Sequence, residues 1–347
     1  MVPRFGIIGG GSWATALAKI LTDRKHHINW WIRSVAIIEH IQKHGYNPNY
    51  LSTAKFDTSL LSITSDVAEV VYKSEILIIA VPSAYAEESL SKLKPKDWKG
   101  KKIVSAIKGL LPGKNILLNY YLQQEFNIPQ ENYFAVLGPC HAEEVAAEKL
   151  SYLTFSGTDI SMTSEIASHF KTNYIYPIVN HDILGVQYAA VLKNIYALGA
   201  GIAHGLNYGD NFLSVYIANA ADEMAGFLKK FGVEHITVGE HEGEDPITHR
   251  KSPNYAASVY LGDLLVTCYS LFSRNRTFGS MIGKGYSVKS AQLEMNMVAE
   301  GYNAARCIHI INEEIDAAIP IAGAIYEILW ENVKPAEGFK RIEQVLV

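Results

Sequence analysis

A short apolar run, Phe5-Gly6-Ile7-Ile8, opens directly into Gly9-Gly10-Gly11-Ser12-Trp13-Ala14 and then into a helical pattern. Few arrangements other than a strand, a tight turn and a helix accommodate that order. The glycines and Ala14 fit the spacing G-x-G-x-x-A. In such a turn the first glycine permits the bend, the second lets backbone approach a pyrophosphate, and the small third residue lets helix and strand pack closely. The helix amino-terminus then faces the anion. A glycine turn between a strand and a helix can also be purely structural, so the surrounding pattern decides.

That pattern alternates. Apolar runs recur at 5–8, 28–32, 76–81, 103–107, 134–137, 152–155 and 175–177, mostly separated by stretches of helical length. This predicts a mainly parallel sheet covered by helices. Beyond residue 183 the strands stop, and helical periodicity occupies 185–204, 211–231, 256–272, 289–312 and 319–332. With 347 residues, 48% of them hydrophobic, the chain can bury a large core and divides into two domains. The expected fold class is α/β: an N-terminal Rossmann-like doubly wound sheet over residues 1–183, then an all-helical C-terminal domain over 184–347. The two are expected to share one long helix and enclose a ligand cleft.

A net charge of −4 leaves no broad basic field, which argues against a general binder of nucleic acid or of membrane surfaces. No segment resembles a signal peptide, and no uncharged run reaches membrane-spanning length. Cys140, Cys268 and Cys307 are too few for a disulfide framework or a four-cysteine zinc site, so a reducing cytoplasm is expected. The histidines and acids of 240–250 offer metal ligands, but glycine, proline and charge there read as a solvated loop, and the remaining histidines show no metal spacing.

Inside the apolar stretch 182–203 sits Lys193, with Asn194 beside it. Burying an ammonium without a counter-charge is costly, and partial desolvation makes such a lysine a usable acid or base near neutral pH. The alternative is a side chain that snorkels from a helix edge. Further on, Asp263, Thr267 and Arg274 fall at helical spacing in an otherwise apolar segment, which places them on one stripe if a single helix runs so far. Lys108, Gly138 and Cys140 follow the ends of apolar strands, the edge at which open sheets hold ligands. An NAD site ordinarily carries an acid about 20 residues past the turn, at the end of the second strand. Here the strand ends in Arg33, and no acid lies between Arg24 and Ile38. An arginine suits a 2′-phosphate, which favours NADP over NAD.

Several of these segments recur together in one known family. Gly9-x-Gly11-Ser12-Trp13-Ala14, Trp31-x-Arg33, Val81-Pro82-Ser83, Lys108-Gly109, Gly138-Pro139-x-His141-Ala142, Leu192-Lys193-Asn194, Gly262-Asp263-Leu264, Ser273-Arg274-Asn275 and Glu300-Gly301 span nearly the whole chain. In this order they resemble bacterial NAD(P)-dependent glycerol-3-phosphate dehydrogenases. The resemblance implies interconversion of dihydroxyacetone phosphate and sn-glycerol 3-phosphate, which supplies phospholipid synthesis. It also implies that Gly9, Gly11, Ser12, Trp13, Arg33, Lys108, Ala142, Arg274, Val298 and Glu300 hold the cofactor. Lys108, Gly138, Cys140, Lys193, Asp263, Ser273, Arg274 and Asn275 are implied to touch substrate. Lys193 is the implied acid and base, assisted by Lys108, Asp263, Thr267 and Asn194.

A soluble cytoplasmic enzyme, possible as a homodimer, is the corresponding expectation. The family usually has serines at the positions of Leu137 and Cys140, and a thiol bonds more weakly than a hydroxyl. A polar stretch between Gly232 and Ser258 looks longer than the family's connection and reads as a solvated loop. Two rival readings stay open: a dehydrogenase of another small hydroxy acid or sugar acid, and a nucleotide sensor without turnover.

Overall fold

The computed structural model describes residues 3–233, 256–295 and 298–347, so most of the polar stretch before Ser258 lies outside the described residues. Two compact units are present. Residues up to 107 together with 117–183 form the first, and 108–116 cluster with the described residues from 184 onward in the second.

The first unit is built on eight described strands: β1 (Phe5–Ile8), β2 (Ile28–Trp31), β3 (Leu61–Thr64), β4 (Ile76–Ile79), β5 (Lys102–Ser105), β6 (Tyr133–Leu137), β7 (Ser151–Gly157) and β8 (Ile175–Asn180). Their order across the sheet is β3-β2-β1-β4-β5-β6-β7-β8. Phe5 of β1 pairs with Ile28 of β2 on one side and Ile76 of β4 on the other, both in parallel. Only β6 and β7 run antiparallel. The chain therefore lays strands outward on one side of β1 and then crosses to the other side at β4. The turn after β1 opens at that reversal, where doubly wound sheets bind ligands. β1 and β4 are wholly buried, and both are continuous apolar runs, as expected of strands covered on two faces.

β3 is absent from the sequence-based expectation. It lies at the sheet edge, all four of its residues are only half-buried, and Ser62 and Thr64 interrupt its apolar character.

The second unit is helical. Its longest described helix, Ile183–Gly205, begins at the boundary of the two units and is long and apolar enough to cross a membrane, yet 94% of its most apolar window is buried within the fold. Gly201 and Gly205 of this helix meet Gly279 and Gly283 of the helix Arg274–Gly283. A methyl group on Gly201 would strike the Arg276 carbonyl, and one on Gly279 the Leu198 carbonyl, so the two backbones touch directly.

Two expected helices are broken. The span 256–272 is a π-helical segment, Ala256–Gly262, followed by the α-helix Asp263–Tyr269. It ends because Ser270 turns extended and its hydroxyl accepts the Phe272 amide at 3.1 Å. Ser273 then caps a new helix by accepting the Arg276 amide at 3.3 Å. The expected single stripe of Asp263, Thr267 and Arg274 is therefore corrected: Arg274 begins a separate helix. The span 289–312 likewise divides into Val288–Glu294 and Glu300–Ile315.

Candidate active site

In the second unit, Lys193 is 3% exposed and projects from the middle of the helix Ile183–Gly205. Its Nζ forms an ion pair with the Asp263 Oδ1 and donates to the Thr267 Oγ1 at 3.2 Å. Thr267 in turn donates to the Asp263 carbonyl oxygen at 2.5 Å. Burial depresses the Lys193 pKa to about 8; Asp263 opposes that shift, while the like charge of Lys108 adds to it. The other carboxylate oxygen of Asp263, Oδ2, is buried and makes no hydrogen bond among the described residues. A buried acceptor of that kind is costly unless something donates to it.

Asn194 extends the arrangement. Its Nδ2 donates to the Lys108 carbonyl at 2.9 Å, and its Oδ1 accepts from Asn275 Nδ2 at 2.9 Å. The Asn275 Oδ1 accepts the Gly301 amide, also at 2.9 Å, next to Glu300. Three short links thus tie together the start of the 108–116 segment and the helices that carry Lys193, Arg274 and Glu300. Arg274 is half-buried at the first position of its helix. Ser273 is buried, and its hydroxyl serves as the helix cap described above.

In the first unit, the expected cofactor residues gather at the ends of strands. Gly9 takes φ +140°, and a side chain there would collide with the Ala80 carbonyl, so the bend needs glycine. Over Gly11 an added methyl group would meet nothing within 4 Å, which leaves that side of the backbone bare. A turn closed on one side and open at the helix start fits a dinucleotide pyrophosphate. Ser12 and Trp13 begin the helix Ser12–Asp23. Arg33 is exposed just beyond β2, while Gly138, Cys140 and Ala142 are buried just beyond β6.

One residue of this turn escaped the sequence reading. Asn47 is fully buried; its Nδ2 donates to the Gly10 carbonyl at 3.2 Å and to the Thr15 Oγ1 at 3.0 Å. It comes from an irregular segment with no motif, and only the fold brings it to the glycines.

Residues 4–163 match the family model described as NAD-dependent glycerol-3-phosphate dehydrogenase N-terminus, and residues 182–340 match the corresponding C-terminus. The glycerol-3-phosphate dehydrogenase (NAD(P)+) of Bacillus subtilis is 32% identical over 94% of this chain and 90% of its own length. That of Lacticaseibacillus paracasei is 30% identical over 96% of this chain and 92% of its own length. The crystal structure of glycerol-3-phosphate dehydrogenase from Coxiella burnetii is similar with a TM-score of 0.86, at 25% identity and 99% coverage of both chains. Sheet, glycine turn and buried lysine define a nicotinamide-dependent oxidoreductase that uses NAD or NADP. The chain belongs to the family of NAD-dependent glycerol-3-phosphate dehydrogenases.

Proposed function

We propose that this chain interconverts dihydroxyacetone phosphate and sn-glycerol 3-phosphate, with Lys193 as the general acid and base. The observation that carries this reading is the buried lysine held by Asp263 and Thr267. In reduction the ammonium gives a proton to the carbonyl oxygen; in oxidation the free amine takes it back. Hydride is supplied at the carbonyl carbon by the reduced nicotinamide when it is bound.

The remaining groups have distinct tasks. Asp263 fixes the ammonium, and its Oδ2 accepts a substrate hydroxyl. Thr267 can only accept from Lys193, so it orients the amine rather than competing for the proton. Arg274 holds the phosphate through paired hydrogen bonds, with Lys108 as a further cation. Asn275 spends its oxygen and one amide hydrogen within the chain, leaving one hydrogen for the phosphate. Asn194 holds Asn275 and the Lys108 backbone in place. Gly138, Cys140 and Ser273 are assigned to the substrate. Gly9, Gly11, Ser12, Trp13, Arg33, Ala142, Val298 and Glu300 serve the cofactor. Arg33, without a nearby acid in sequence, favours NADP.

We further place the enzyme in the cytoplasm, as a homodimer that supplies phospholipid synthesis. Steady-state kinetics with dihydroxyacetone phosphate and each reduced cofactor tests the reading. Turnover of other small keto acids in preference to dihydroxyacetone phosphate, or no turnover at all, would sink it.

A further inference from the structure

Three carbonyl groups of the glycine turn are each held by a side chain. Trp30 Nε1 donates to Gly9 O at 2.7 Å, Asn47 Nδ2 to Gly10 O at 3.2 Å, and Thr15 Oγ1 to Gly11 O at 2.9 Å. Asn47 links the last two, because its second amide hydrogen goes to the Thr15 hydroxyl at 3.0 Å. Thr15 already donates to Gly11, so it can only accept from Asn47. The Asn47 Oδ1 meanwhile accepts the Asn49 amide at 3.1 Å, which fixes the orientation of the whole carboxamide. Both of its hydrogens and its oxygen are thus committed, in a site with no exposure.

The consequence follows from the planarity of the peptide. In a trans peptide the N–H points opposite to the C=O of the same unit. Drawing the Gly10 carbonyl toward Asn47 aims the Gly11 amide the other way. The Gly11 carbonyl is drawn toward Thr15 by that residue's own amide at 2.9 Å as well as by its hydroxyl, which does the same for the Ser12 amide. Over Gly11 itself an added methyl group meets nothing within 4 Å, so the turn leaves room beside it.

We propose that Asn47 is a positioning residue of the dinucleotide turn, acting with Thr15 to aim the Gly11 and Ser12 amides at the cofactor pyrophosphate. The inference rests on the dinucleotide reading given above. Asn47 itself acts through the backbone and is not a catalytic residue. A preset turn does not have to be ordered when the cofactor arrives, so its loss is felt in affinity.

Direct titration of the full chain with NADPH and NADH, followed by nucleotide fluorescence or calorimetry, tests the idea beside steady-state kinetics. Asn47→Ala and Thr15→Val should each weaken the Kd by about tenfold, the scale of one lost oriented hydrogen bond. Turnover at saturating cofactor and the KM for dihydroxyacetone phosphate should stay within about threefold, since neither substitution reaches the lysine. Thr15→Ser keeps the hydroxyl and should bind as wild type does.

A purely structural role would lower the thermal midpoint and leave the Kd of the folded fraction unchanged, and that result overturns the inference. A Thr15→Ser protein as weak as Thr15→Val also overturns it, because the hydroxyl would not be the cause. If Asn47→Ala does not fold, the Thr15 pair decides alone. A wild-type chain that binds neither nucleotide removes the dinucleotide reading, and this inference with it.

Discussion

The Thr267 hydroxyl donates to the Asp263 carbonyl oxygen and so presents only a lone pair to the Lys193 Nζ at 3.2 Å. The lysine is therefore oriented by a neutral acceptor and charged by a carboxylate, two tasks carried by one turn of helix. Burial and Asp263 pull its proton affinity in opposite directions, and burial prevails.

The pH dependence of catalysis should follow from that balance. Reduction needs the ammonium, so its rate should fall as pH rises through about 8; oxidation needs the amine and should rise over the same range. Asp263→Asn removes the charge that favours the ammonium, so the alkaline limb of the reduction profile should move to lower pH. Single-turnover rates against pH measure this, and an alkaline shift would refute the pairing. Lys193→Met should cost roughly a hundredfold or more in turnover while barely changing cofactor binding.

Cofactor choice is expected to reside in Arg33, exposed past the end of β2. Arg33→Asp should weaken NADPH far more than NADH, because a carboxylate repels the 2′-phosphate. Unchanged Michaelis constants for both cofactors would remove Arg33 from the cofactor site.

Arg274 offers a test of phosphate recognition. Arg274→Lys keeps the charge but loses the paired donor geometry, so kcat/KM for dihydroxyacetone phosphate should drop by about tenfold or more. Phosphate-free dihydroxyacetone, a poor substrate from the outset, should be handled no worse. Equal relative losses on the two substrates would assign Arg274 to the fold or to the cofactor.

What the sequence disclosed, and what it hid, follows the range of the interactions involved. β1 and β4 were legible because buried parallel strands are uninterrupted apolar runs, and Lys193 stood out as the cation inside the apolar stretch 182–203. β3 was not, since an edge strand with Ser62 and Thr64 carries no strong period. The stripe from Asp263 to Arg274 failed at Ser270, where a serine hydroxyl offers the chain a local alternative to the helix. Asn47 was invisible because its partners lie 37 and 32 positions away and belong to a motif complete without it. Asn194 and Asn275, 81 positions apart, could be named as neighbours of chemistry but not as a bonded pair.

Stability should also respond to pH through Glu223, which accepts the Ile321 and Ala322 amides and the Tyr196 hydroxyl in a buried position. Burial raises its pKa to about 7, against the bonds that favour the carboxylate. The folded state holds this proton more tightly than the unfolded one, so its contribution is full below about 4.5 and is lost as pH rises through about 7. Between pH 5 and 8 the loss is about 2–3 kcal/mol by linkage. Glu223→Gln should be less stable at pH 5 and should flatten that slope. An unchanged slope in urea denaturation at the two pH values would count against the assignment.

The contact of Gly201 and Gly205 with Gly279 and Gly283 makes the second unit a measuring device. The lysine rides on one of these helices and the guanidinium on the other, and their separation is set where main chain rests on main chain. If Lys193 serves the carbonyl and Arg274 the phosphate, as proposed, that spacing sets the length of substrate accepted, and a methyl group added at the crossing, which meets main chain, should change it.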